Sequence, residues 1–104
     1  MKRLAPFFFV LALAGCATVM LPKLTPSQLR WAGGQWSGVD AASMESARVL
    51  YVNRCSGCHN LVTPDKHTPE EWDVLLNRMA PRAKLTADEK EAVHRFILSA
   101  KQPG

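Results

Sequence analysis

Cys55-Ser56-Gly57-Cys58-His59 is the stretch that most limits what this chain can become. Two thiols with two residues between them, and an imidazole directly after the second, match the spacing at which a haem is attached covalently. The thiols add across the two vinyl groups of one macrocycle as thioethers. His59 is then carried beneath the ring, where an imidazole nitrogen takes one axial position on the iron. Two other chemistries use paired cysteines. A dithiol redox site wants a βαβ context, and no strand pattern is visible. A zinc site needs a fourth ligand, and the consecutive ligands Cys58 and His59 fit a tetrahedron poorly.

The chain opens Met1-Lys2-Arg3 and continues as an apolar run from Leu4 to Ala14. A charged start before a short apolar run is the pattern of a secretory signal. The run falls short of the roughly 20 apolar residues that a membrane-spanning helix needs. It ends in Leu13-Ala14-Gly15-Cys16, which resembles the lipobox of bacterial lipoproteins. That resemblance implies a signal of residues 1–15 that is removed, and a lipid on Cys16. Several acyl chains on one residue give stable anchoring where a single chain is marginal. The alternative is an ordinary signal peptide with an incidental cysteine. On the lipid reading all three cysteines have a role, Cys16 to lipid and Cys55 and Cys58 to haem, and an odd count in an exported chain is explained.

The formal charge of +4 drops to +2 once Lys2 and Arg3 leave with the signal, and two haem propionates bring it near zero. No basic stripe with interleaved aromatics is present, so nucleic acid is not an expected partner. A chain this short buries a modest core and usually needs a staple. A covalently held, largely apolar plate is such a staple.

Residues 16–40 read as a tether with a fully extended reach of roughly 80 Å. Thr25-Pro26-Ser27-Gln28 has the form of a capping box with proline at the first helical position. It admits a short helix over 26–31, which Gly33-Gly34 and Gly38 then break. Trp31 and Trp36 either fold back on the domain or sit among lipid headgroups. Their sharper role is to cover a haem edge or dock a partner.

From Asp40 or Ser43 to Arg54 the pattern is helical, with Met44, Ala47, Leu50 and Tyr51 on one face. A polar loop follows His59. Thr68-Pro69-Glu70-Glu71 starts another helix, whose stripe Trp72, Leu75, Leu76 and Met79 faces inward until Ala80-Pro81 stops it. A last helix begins at the capping box Thr86-Ala87-Asp88-Glu89, with Ala92, Val93, Phe96, Ile97 and Ala100 on its buried face. Glu91 and Arg95 form a favourable surface pair. The expected fold class is all-α.

From Ala41 to the end, this sequence resembles a small class I c-type cytochrome. Tyr51 occupies the family's aromatic position four residues before the first cysteine. Ala47 stands where the family usually has a glycine at the crossing of its first and last helices, a departure that still permits close packing. Phe96-Ile97 fits the aromatic-aliphatic pair of the last helix. Met79-Ala80-Pro81, leading to Leu85-Thr86, is close to the family's Met-Pro segment, with one residue inserted. The resemblance implies a small helical domain over 41–104, wrapped around one covalent haem c. In it Cys55 and Cys58 carry the thioethers, His59 is the proximal ligand and Met79 the distal one. A thioether ligand suits low-spin iron and raises the potential relative to a second histidine. His67, His94 and Met44 are the rivals of Met79, and an ordinary core methionine is the bland account of Met79 itself. Trp72 either lies against the haem or closes the core. Pro64, or a neighbouring carbonyl, is expected to accept the His59 ring N–H.

These expectations describe a non-enzymatic, single-electron carrier, lipid-anchored on the periplasmic side of a bacterial membrane and exchanging electrons with a donor and an acceptor protein. The alternatives are a haem with an open distal site, reducing peroxide or binding a small gas, and a haem subunit of a larger oxidoreductase docked through Trp31 and Trp36.

Overall fold

The structure is a computed structural model that describes residues 21–55 and 61–104. The signal segment, Cys16, Cys58 and His59 therefore lie outside the described residues. Among the described residues four helices follow in order: α1 Pro26–Gln35, α2 Ala41–Cys55, α3 Pro69–Met79 and α4 Ala87–Ala100. A short 3-10 turn, Pro64–Lys66, sits in the loop before α3. Among the described residues there is no strand, so the all-α expectation holds. Among the same residues no helix is long and apolar enough to cross a membrane.

Three of the helices begin as the sequence dictates. Thr25, Thr68 and Thr86 each sit in extended backbone and accept from the backbone N–H three residues on. The side chain of that third residue, Gln28, Glu71 or Glu89, reaches back to the cap N–H. Each box satisfies two donors that a helix start otherwise leaves unpaired. At α2 the two expected caps act together. Asp40 Oδ1 accepts from the Ser43 N–H at 2.7 Å, and Ser43 Oγ accepts from the Asp40 N–H at 3.0 Å.

The core forms where α4 crosses α2, the largest helix-helix contact among the described residues. Val93, Phe96 and Ile97 of α4 have no exposed surface, and Met44, Ala47 and Tyr51 of α2 meet them. Each large apolar side chain buried this fully contributes about 1.5–3 kcal/mol. Ala47 is small enough to let the two backbones approach. Trp72 and Leu76 of α3 close one side of this core, and Leu21 closes another. Leu50, placed on the buried face by spacing, is only half-buried. Ser99 is buried, and its hydroxyl donates back to the Arg95 carbonyl at 2.7 Å.

One helix runs further than expected. α1 passes through Gly33 and Gly34 and ends at Gln35 instead of Trp31. Both glycines lie on its open side, with nothing near the position a Cβ would take. Each costs about 1 kcal/mol of helix propensity. Contacts on the other side offset this. Ala32 is fully buried where α1 meets α4, and the Arg95 guanidinium of α4 stacks 5.4 Å from the Trp36 ring centroid. The chain turns at Gly38, whose φ of 78° is a conformation that side chains disfavour.

Candidate functional site

α2 delivers Cys55 at its last turn, and Tyr51 stands one turn earlier on the same face. α3 runs past them with Trp72, Leu75, Leu76 and Met79 at three- and four-residue spacings. Between the two helices lies a cleft of about 310 Å³. Tyr51, Cys55, Val62, Trp72, Leu76 and Met79 line it, and Arg54 and Arg82 are among the residues at its edge. Its volume falls at the lower end of the ~300–1,000 Å³ typical of small-molecule sites, and its lining is mainly apolar, as such sites are.

The cleft walls are held by hydrogen bonds to the loop that follows the Cys-His motif. The Tyr51 hydroxyl donates to the Val62 carbonyl. Trp72 Nε1 donates to the Pro64 carbonyl at 2.8 Å. Lys101 Nζ, just past α4, donates to the same carbonyl at 3.3 Å and to the His67 carbonyl at 2.8 Å. Tyr51 and Trp72 also meet edge to face, with centroids 6.2 Å apart. The Pro64 oxygen thus takes two donors already, which fills its two lone pairs. The sequence offers Pro64 or a neighbouring carbonyl as acceptor for the His59 ring N–H, and His59 lies outside the described residues.

On the other side, Arg54 Nη1 donates to the carbonyls of Ala83 (3.3 Å) and Lys84 (3.2 Å). The residue before Cys55 therefore grips the turn that follows Met79. In that turn Lys84 adopts a φ of 56°, and the Leu85 N–H reaches back to the Ala80 carbonyl at 3.0 Å. Glu89 lies 4.0 Å from Arg54 and adds a weak, largely solvated ion pair.

Burial shapes the titration of both polar groups on the cleft wall. It pushes the Tyr51 phenol above its ordinary range, with the nearby Cys55 sulfur adding to the effect. It also pushes the Cys55 thiol up, against the smaller opposing pull of Arg54. A reactive dithiol needs the opposite shift, toward thiolate. Burial thus makes Cys55 poorly suited to disulfide exchange.

The sequence offers four side chains as a distal ligand, and they lie in different surroundings. Met79 lines the cleft with Cys55 and is 39 % exposed, unusual for a large apolar side chain. Met44 is sealed in the core at 3 %. His67 lies edge-on against Trp72, at 5.1 Å, and borders a separate shallow hollow with Glu70, Glu71 and Arg78. His94 sits half-buried on α4 and does not line the cleft. Trp72, 2 % exposed, serves as both core and cleft wall.

The cleft is compatible with a haem in character: an apolar trough lined by a cysteine, an exposed methionine and two guanidinium groups. Sequence reasoning missed Arg54, Arg82 and Lys101. Arg54 and Lys101 act through backbone carbonyls distant in sequence, and a lone basic residue in a helix or turn carries no local pattern. Among the described residues no group of three His, Cys, Asp or Glu side chains is placed to hold a metal ion. No protein-family model matches the chain, and neither does any curated protein or solved structure.

Proposed function

We propose that this chain is a mono-haem c-type cytochrome, lipid-anchored on the periplasmic side of a bacterial membrane, that carries single electrons between redox proteins. The observation that carries this reading is the pairing of Cys55 and Met79 on one apolar cleft, while His67, His94 and Met44 do not line it. A bound haem supplies an iron centre that cycles between two oxidation states one electron at a time.

The chain's own residues do the rest. Cys55 and Cys58 would hold the macrocycle covalently, and His59 and Met79 would be the iron's protein ligands. Val62, Trp72, Leu75 and Leu76 give the cleft an apolar lining that disfavours water. Arg54 and Arg82, both among the lining residues, would offer positive charge to the propionates. The contacts from Arg54 and Lys101 tie both cleft walls, so the chain itself holds the cleft in shape. Cys16 would carry the acyl anchor, which confines the carrier near membrane-bound partners and raises its effective concentration there.

Intact-mass measurement of the mature protein tests the attachment. The expected mass is that of the chain from Cys16 with its lipid and one haem. Cys55→Ser with Cys58→Ser should remove the haem mass and leave the lipid mass. A wild-type mass without haem overturns the reading.

A further inference from the structure

Residues 21–35 are packed as part of the domain. Leu21 is 4 % exposed and belongs to the same core as Met44, Ala47 and Phe96. Its carbonyl accepts from Arg48 Nη1 at 2.8 Å, and Arg48 is itself steadied by Glu45, with Nε to Oε2 at 2.9 Å. Leu24 and Leu29 pack against that core. Gln28 caps α1 with one end of its amide. With the other it donates to the carbonyls of Ala100 (3.3 Å) and Gln102 (2.9 Å) at the end of α4. Ala32 has no exposed surface, and Trp36 stacks with Arg95. The stretch is therefore fastened to α2, to the end of α4 and to the middle of α4.

A spacer contributes reach, whereas a docked strap contributes none. Only five Cα steps separate Cys16 from Leu21, a span of at most ~18 Å. We propose that residues 21–35 are a structural strap and that the anchored domain is consequently held against the lipid surface, with the face around Leu21, Pro22 and Lys23 toward the bilayer. This rests on the lipid anchor proposed above. The carrier then meets partners at the height of the membrane surface, not those a long tether would reach.

Trypsin tests this directly. Lys23 and Arg30 are the only lysine or arginine residues between Cys16 and Arg48. Both side chains are exposed, so a free tether is cut there and the domain leaves the membrane at once. A docked strap is cut only when it opens locally. In membranes from cells expressing the full chain, release of wild-type protein should be slow. Ala32→Glu, which forces a charge into a fully buried position, should speed release by at least about tenfold. Should that variant fail to fold, Gln28→Ala should still speed it about fivefold through the lost hydrogen bonds. Wild-type release as fast as Gln28→Ala, with cuts at Lys23 and Arg30, overturns the strap. Wild-type protein in the soluble fraction before protease is added overturns the membrane apposition. In that case the cutting pattern of the soluble protein still decides whether the strap is docked.

Discussion

Trp72 donates its indole N–H to the carbonyl of Pro64 at 2.8 Å, across a gap of eight residues in sequence. This bond joins the buried face of α3 to the loop that follows the Cys-His motif. The same ring walls the cleft and seals the core. Trp72→Phe keeps most of the apolar area and loses the bond. Lys101 still reaches the Pro64 oxygen, so the cost should be about 1–2 kcal/mol. Trp72→Ala should cost about 3–5 kcal/mol and open the cleft floor. Denaturant unfolding of the haem-loaded protein measures both. Equal losses for the two variants would assign the whole effect to the hydrogen bond.

Tyr51 gives the site an alkaline limit. Burial holds its phenol above the ordinary value of about 10. If Cys55 is a thioether, as proposed, it carries no charge and burial alone remains as the cause. The folded state then keeps a proton that the unfolded chain releases, so this contribution is complete below pH ~10 and is lost as pH rises beyond it. Tyr51→Phe should be less stable at neutral pH, through the lost bond to Val62, but should decline less steeply above pH ~10. Parallel slopes in thermal unfolding from pH 8 to 11.5 would contradict this.

The helix caps give the opposite dependence in acid. Glu71 and Glu89 accept the cap N–H groups of Thr68 and Thr86 at 2.8 and 2.9 Å, and those backbone bonds hold both carboxylates below the ordinary 4.5. The folded state binds fewer protons there than the unfolded chain. The contribution is therefore present above pH ~4.5 and is lost as pH falls through the lowered folded values. Glu71→Gln with Glu89→Gln keeps two acceptors and removes the charges. Its thermal midpoint should vary less with pH between about 3 and 5. Separately, Thr68→Ala should cost about 1 kcal/mol.

The sequence made the helix starts legible because a capping box is complete within four residues. It made the α3 and α4 stripes legible because Trp72, Leu76, Val93, Phe96 and Ile97 repeat at helical spacing. The length of α1 was not legible. Gly33 and Gly34 signal a break locally, and the contacts of Ala32 and Trp36 with α4 that override it lie some sixty residues away. Leu21 looked like linker for the same reason, since its partner Arg48 is 27 residues distant. At the site, the motif named Cys55 and the stripe named Met79, but only the fold puts both on one cleft. The Pro64 carbonyl accepts from Trp72 and Lys101, donors that spacing does not reveal.

The account stands most directly on the absorption spectrum of the purified mature protein, recorded reduced and ferric beside Met79→Ala. It predicts the split bands of a thioether-linked haem on reduction, and in the ferric form a weak sulfur-to-iron charge-transfer band that Met79→Ala abolishes while the haem stays attached. A wild-type spectrum without haem bands, or a charge-transfer band that survives in Met79→Ala, would contradict it.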